Sequence, residues 1–175
     1  MFDAQIQLMR FTRDLLKHDE QLIKRGRVNE EQELSTIDYI AVDSLTSAMP
    51  ITKRQSYDEV NEIVTYGLRF RQSFTLDFYG NNAYKNASEF AILINGHISQ
   101  RLQKQYNITV GSASAIIDLK LLTGREYVNR YQVEVMLQYE KSVSQELYRI
   151  EVVPFEVATD NDLFREVEID INKEE

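Results

Sequence analysis

The chain has 175 residues, of which 43% are hydrophobic, and a formal net charge of −8. That length suffices for a real core, and we expect a single domain over residues 1–175. The acidity argues against a protein whose main role is to grip nucleic acid, because phosphate binding needs clustered lysine and arginine. The lack of cysteine excludes disulfides, thiolate metal sites and a cysteine nucleophile.

The N-terminal region predicts a helix and gives no sign of targeting. Charges interrupt residues 1–20, unlike a signal or transit peptide, and no run of about 18 apolar residues predicts a transmembrane helix. We therefore expect a soluble protein. Apolar residues at steps of three and four predict an N-terminal helix within residues 1–25, ended by Gly26. Residues 27–33 are polar and predict a loop or arm.

Three β segments are predicted next. Residues 36–42 alternate in a way that is typical of a strand with both faces partly covered. Pro50 lacks a backbone donor, so residues 45–54 suit an edge strand or a connection. Residues 57–66 favour a strand because of their β-branched side chains, and Gly67 then marks a turn or a bulge.

The clearest signal lies between residues 68 and 102. Residues 68–79 alternate between apolar and polar side chains, which predicts a strand with one buried face. Gly80, Asn81 and Asn82 predict a turn, and either asparagine suits the cap of a following helix. Apolar residues recur at steps of three and four from Ala83 to Leu102, which predicts one long amphipathic helix lying on the strand.

The remaining signals complete an α+β fold. Alternation marks residues 113–122 and, most extensively, residues 127–140. We expect the polar residues 141–144 to form a turn, so that residues 145–157 return as a hairpin with a bend near Pro154. Residues 158–175 predict an acidic, mobile tail. The predicted fold is a mostly antiparallel sheet within residues 36–157, packed against one long central helix and an N-terminal helix.

No constellation of residues predicts catalysis or ligand binding. His18 and His97 each lack a second ligand at the spacing of a helical zinc site. A calcium loop starting at Asp160 fails, because Arg165 stands where glycine is needed and Ile171 where a bidentate glutamate is needed. Phosphate-binding glycine loops and Gly-x-Ser-x-Gly elbows are absent. We therefore expect a protein that is not an enzyme and has no catalytic residue, cofactor or metal site.

Two basic clusters have ordinary explanations. Lys24, Arg25 and Arg27 lie near the end of the predicted helix, where cations complement the helix dipole. Lys53 and Arg54 form a second, shorter cluster. Either cluster is also suited to contact the carboxylates of a partner.

Three segments resemble parts of one known protein family. Residues 74–83, FTLDFYGNNA, are similar to the family's alternating strand, Tyr-Gly turn and helix start. Residues 119–139, LKLLTGREYVNRYQVEVMLQY, are similar to its short connection and aromatic-Val strand, with Glu126, Tyr127 and Arg130. Residues 148–153, YRIEVV, resemble its closing strand. The family that these segments resemble is that of the neck or tail terminator proteins of tailed bacteriophages, which join head and tail, and the resemblance spans about residues 36–157.

The resemblance implies a structural virion protein made in the cytoplasm of a host bacterium. It implies a homo-oligomeric ring, commonly of six subunits, at the head-tail interface, with connector, neck and tail proteins as partners and no membrane. DNA would pass through without sequence-specific binding, and an acidic chain suits such a channel because like charges repel. The residues leave open an alternative, a non-catalytic binding module that pairs an exposed sheet edge with another protein's strand.

Overall fold

The computed structural model describes residues 3–26, 38–119, 121–123 and 126–146. The helices are α1 (Ala4–Leu16), α2 (Ala83–Leu93) and α3 (His97–Tyr106), and a 3-10 turn covers Glu20–Leu22. The strands are β1 (Ile23–Arg25), β2 (Tyr39–Ser44), β3 (Met49–Asp58), β4 (Ile63–Tyr79), β5 (Ile108–Val110), β6 (Ile117–Asp118), β7 (Leu121–Thr123), β8 (Glu126–Val128) and β9 (Arg130–Glu146). The polar segment 27–33, the returning strand predicted for residues 147–157 and the acidic tail 158–175 lie outside the described residues.

The main sheet is ordered β1-β2-β4-β9-β5. Strands β2 and β3 lie end to end along one edge of β4, and β5 and β6 lie along the outer edge of β9. Strands β1 and β2 are parallel, and the other pairs of this sheet are antiparallel. Strands β7 and β8 form a separate two-stranded sheet. The predicted α+β class with a mostly antiparallel sheet is therefore confirmed.

Strands β4 and β9 form the spine of the fold. Each has 17 residues, and they pair in unbroken antiparallel register from Ile63 opposite Glu146 to Tyr79 opposite Arg130. We call the face of this pair that carries Phe74 and Phe78 the front face. The three helices contribute to the core that covers one half of it, where Phe78 packs 6.0 Å from Phe90 of α2 between ring centroids. The strand predicted over residues 68–79 is thus confirmed as part of β4.

The single long central helix is wrong, because the chain forms two shorter helices. Gly96 lies between them with an extended backbone (φ −82°, ψ 168°), and its N–H donates to the carbonyl of Leu93. Glycine disfavours a helix interior by about 1 kcal/mol relative to alanine, so this position favours a break. Ile98, which the sequence placed on the buried stripe, is consequently 48% exposed.

The N-terminal helix is shorter than the predicted residues 1–25. It begins at an N-cap, where the carboxylate of Asp3 accepts hydrogen bonds from the N–H groups of Gln5 and Ile6. It ends at Leu16 because Lys17 adopts a left-handed conformation (φ 56°). Residues 20–25 then form the 3-10 turn and β1, which adds to the edge of the sheet beside β2.

Strand β9 is longer than predicted, and the turn expected at residues 141–144 is wrong. The strand continues to Glu146 because β4 supplies a partner along its whole length. The hydroxyls of Thr65 and Ser144 share a hydrogen bond of 2.9 Å across this pair. In the segment predicted as one strand over residues 113–122, the described residues that form strands are β6 and the start of β7.

The region before β4 also differs from the prediction. Gly67 marks neither a turn nor a bulge, since β4 runs through it in regular register with both neighbours. The irregularity lies instead in β3, between Pro50 and Thr52. Residues 57–66 form a hairpin, in which β3 ends at Asp58 and β4 begins at Ile63. The edge position expected for Pro50 is confirmed, because β3 pairs with β4 alone among the described strands.

Candidate functional site

Half of the β4–β9 spine extends beyond the helices as a three-stranded projection. We call it the arm, and it consists of β3, residues 63–71 of β4 and residues 140–146 of β9. All ten residues of β3 are exposed, as are residues 141–146 of β9. Residues 63–71 span about 25 Å at roughly 3.3 Å per residue. The arm is therefore a long sheet that the described helices leave uncovered.

The front face of the arm carries an apolar strip, and Lys53 and Lys141 lie on the same face on either side of Leu68. Residues that pair directly across an antiparallel sheet share a face, so Phe70 lies beside Tyr139 and Tyr66 beside Val143. The rings of Phe70 and Tyr139 stack with centroids 5.6 Å apart at the root of the arm. Farther out, Tyr66 is 45% exposed and Val143 is 65% exposed. This apolar strip continues the core of the protein out into solvent.

The back face of the arm is polar. Arg69 and Glu140 lie opposite each other there and approach to 3.9 Å between Nη2 and Oε2. Gly67 gives Glu140 room, because a Cβ at this glycine would lie 2.7 Å from Oε1 of the glutamate. The two faces thus differ in chemistry. The difference in polarity indicates that the front face is suited to contact another surface and the back face to contact water.

The tip of the arm is a tight, acidic turn. The carboxylate of Asp58 accepts hydrogen bonds from the backbone N–H groups of Val60 and Asn61 and from the side-chain amide of Asn61. These donors, led by the Asn61 side chain, lower the pKa of Asp58. Val60 lies within this turn, at the outer end of the arm, and is 90% exposed. The turn therefore presents an apolar side chain at a fixed position.

A buried ionic cluster lies on the back face at the opposite end of the spine. Asp77 is fully buried, and its carboxylate accepts hydrogen bonds from Nε and Nη2 of Arg130 at 3.3 and 3.1 Å. The side-chain amide of Gln132 donates a third, at 3.1 Å. Beside them, the rings of Tyr39 and Tyr79 stack with centroids 4.4 Å apart. Because every oxygen of the carboxylate is satisfied, the cluster fixes the strands rather than offering a reactive group.

A second polar cluster joins α1 to α3. The hydroxyl of Tyr106 donates to Asp14, and Nε of Arg13 donates to the same carboxylate at 2.7 Å. The bond from Arg13 is the main reason why the pKa of Asp14 is lowered. Burial, followed by the bond to Asp14, raises the pKa of Tyr106. This cluster holds two helices together.

The sequence-predicted candidates do not come together. His18 follows the end of α1 and His97 begins α3, so only the second lies on a helix as expected. No group of three metal-binding side chains occurs among the described residues. Lys24 and Arg25 lie in β1 instead of at a helix end, while Lys53 and Arg54 are exposed on β3 of the arm. The failed calcium loop at residues 160–171 and Arg27 lie outside the described residues.

Comparison with protein families identifies a matching family. The sequence model described as phage neck terminator protein matches residues 7–162. The chain belongs to the phage neck terminator family. A search of curated proteins finds no match.

Membership of this family indicates the role and the location of the protein. A neck terminator protein is a structural component of the virion neck, and it contacts other neck or tail proteins there. A structural role also suits two polar clusters that hold strands and helices in place. Within the described part of this neck terminator chain, no helix is long and apolar enough to cross a membrane.

Sequence reasoning missed the arm of this neck terminator protein. It named no site residues, it treated residues 57–66 as one strand and so missed the hairpin turn, and it assigned residues 141–144 to a turn. One local signal was available: Asp58 and Asn61 are turn-forming residues that flank Val60, between two segments of alternating side chains. The exposure of the arm, however, depends on how much of the sheet the helices cover. No local sequence pattern predicts that coverage.

Proposed function

We propose that the chain forms a closed ring, most simply of six subunits, that ends the tail tube or joins it to the connector. The observation that carries this proposal is the arm of a neck terminator protein, with an apolar strip on its front face that the described helices leave uncovered. A ring of identical subunits needs two different complementary surfaces on each subunit. The arm supplies one of them, and the rest of the subunit supplies the other.

The exposure of the front face supports an interface there. Tyr57, Tyr66 and Val143 are between 45% and 65% exposed, although each pairs into the same face as the core residues. Aromatic side chains on a rigid sheet are typical of the buried centre of protein interfaces. Burying them against a neighbouring subunit would complete the core that the helices leave open.

The alternative, addition of a partner strand to an open edge, is disfavoured along β3. This edge carries Pro50, a register irregularity beside it, and the charged residues Lys53 and Arg54. Proline, irregular register and charge are the features by which natural sheets block pairing at their edges. The arm is therefore better suited to contact partners through its front face than through this edge.

The proposal also includes the passage of DNA through the ring. Residues 158–175 contain seven of the acidic residues and only two basic ones, so they hold most of the net negative charge. A segment of this charge facing the lumen would repel DNA and let it slide. Rings that retain duplex DNA at physiological salt would contradict this part of the proposal.

Native mass spectrometry and negative-stain microscopy test the ring directly. Purified protein is measured alone and after mixing with tail tubes or connectors of the same particle. We expect rings of about six subunits, free or on tube ends. A protein that remains monomeric with both partners would refute the ring.

Two neighbouring residues of β9 provide matched variants for the same assay. Val143→Asp places a charge on the front face, and Ser142→Asp places the same charge on the back face of the same strand. We expect Val143→Asp to prevent assembly, because a buried unpaired carboxylate costs several kcal/mol. Ser142→Asp should assemble like the unmodified protein. Equal assembly of both variants would exclude the front face as the interface.

A further inference from the structure

The end of the arm combines apolar and acidic side chains. We define the arm tip as residues 57–63 and 143–146. Three of its apolar side chains are half exposed or more: Tyr57 (51%), Val60 (90%) and Val143 (65%). The tip also carries four carboxylates, on Asp58, Glu59, Glu62 and Glu146, and neither lysine nor arginine. A surface of this kind fits an apolar patch with a basic border.

Helix α3 has the opposite charge. Its sequence, HISQRLQKQY, contains no acidic residue, although the chain as a whole has a net charge of −8. Arg101 and Lys104 are both exposed on it. Ile98 on the same helix is 48% exposed, and Ile92, near the end of α2, is 74% exposed. Helix α3 thus presents an exposed isoleucine with two exposed cations, and the end of α2 adds a second exposed isoleucine.

The tip cannot reach α3 of its own subunit. Gln100, Gln103 and Lys104 of α3 line one groove together with Arg69 and Glu140, which places the helix beside the root of the arm. Ile63 and Glu146 pair six residues farther out along the spine. Six residues of strand correspond to about 20 Å, several times the length of an ion pair. The complementary surfaces of one subunit are therefore held apart.

We propose that the arm tip of one subunit docks on α3 of a second copy of this chain. This inference rests on the proposed ring and names the two surfaces that form its repeated contact. Val60 and Tyr57 bury against Ile98 and Ile92, while carboxylates of the tip face Arg101 and Lys104. Because the two surfaces are unlike, the contact is heterologous, and its repetition produces a ring.

Charge reversal tests the contact, with mixing as the decisive step. The tip variant is Glu59→Lys/Glu146→Lys, and the helix variant is Arg101→Glu/Lys104→Glu. Alone, the helix variant sets like charges against each other, while the tip variant replaces two of the four tip carboxylates by lysines and removes the net attraction to α3. For each variant we expect the concentration for half assembly to rise at least about tenfold. In an equimolar mixture, each reversed surface meets its complement on the other variant. Alternating rings should then form at close to the original concentration.

Control measurements separate this inference from the ring itself. Arg10→Glu/Lys17→Glu makes the same change in charge as the helix variant, on exposed residues of the helical region around α1, and should leave assembly unchanged. Circular dichroism and thermal unfolding confirm that every variant folds. If the unmodified protein forms no ring alone or on tail tubes, both the ring and this contact are refuted. If it forms rings but either variant assembles equally well, or the mixture is not rescued, the contact is refuted and the ring stands.

Discussion

Replacing Asp77 tests whether its buried cluster fixes the spine. In Asp77→Ala, the guanidinium of Arg130 loses both of its hydrogen bonds to the carboxylate, and its side chain is only 12% exposed. Removing one partner of a buried ion pair costs about 3–5 kcal/mol, because the remaining charge is left without compensation. For a protein of this size, each kcal/mol lowers the Tm by roughly 2–4 °C. We therefore expect the Tm to fall by about 6–20 °C.

A second ion pair on the same strands provides the matched control. Arg69 and Glu140 also lie opposite each other on β4 and β9, but their side chains are 54% and 31% exposed. Exposed pairs contribute roughly 0–1 kcal/mol, so Glu140→Ala should change the free energy of unfolding by less than about 1 kcal/mol. Urea unfolding followed by circular dichroism measures both variants. Equal losses in the two variants would refute the assignment of Asp77 as a structural anchor.

A double substitution distinguishes the cost of an unpaired buried charge from the cost of lost side-chain packing. Asp77→Leu with Arg130→Met replaces the pair by apolar side chains, which is often neutral in protein interiors. We expect it to recover at least half of the stability that Asp77→Ala loses, although Gln132 then lacks its acceptor. A double variant as unstable as the single one would mean that packing, not the unpaired guanidinium, sets the cost.

Four further substitutions test an ion pair on α1, two glycines and the core. The pKa of Asp14 is lowered below its ordinary value of 3.8, chiefly by the hydrogen bond from Arg13. Its contribution to stability is therefore complete above that pH and is lost as the pH falls through the lower folded-state pKa. Asp14→Asn should flatten the acid-side slope of urea stability, and an unchanged slope would contradict this. Gly80 has φ 98°, so Gly80→Ala should cost about 1–2 kcal/mol. Gly67→Ala, which needs only the end of a flexible side chain to move, should cost less in the same unfolding assay. Phe90→Ala removes a fully buried ring and should cost about 3–5 kcal/mol; a loss under 1 kcal/mol in urea would show that the core closes around the cavity.

The parts of the fold that the sequence predicts well are those with one apolar face. Residues 74–79 are all buried, but they alternate because Phe74, Leu76 and Phe78 pack in the main core while Asp77 on the other face makes polar contacts, and this produced a correct strand assignment. The break at Gly96 was missed because the apolar stripe continues on both sides of it: Ile94 and Leu102 are both buried. An apolar stripe predicts only which face of a helical segment is buried. It does not predict whether the segment forms one helix or two.

The arm could not be predicted for the opposite reason. Lys141, Ser142 and Ser144 are polar, and polar residues between two alternating segments favour a turn. In the folded chain they extend a strand that no described helix covers, so burial does not constrain their polarity. What keeps them in the strand is the hydrogen-bonded ladder to β4, which depends on residues about 75 positions away in sequence. The side-chain pattern within one segment cannot predict a strand partner that is so distant in sequence.

The same continuity explains why the arm is suited to assembly. Because β4 and β9 pair through 17 residues without a register shift, the arm is an extension of the core sheet and lacks a hinge between these strands. The cluster at Asp77 and the stacked rings of Tyr39 and Tyr79 hold the far end of the same strands. An interface element that is already rigid loses little conformational entropy on binding. Substitutions that loosen the far end, such as Asp77→Ala, should therefore weaken ring assembly as well as folding, even though Asp77 lies at the opposite end of the strands from the arm tip.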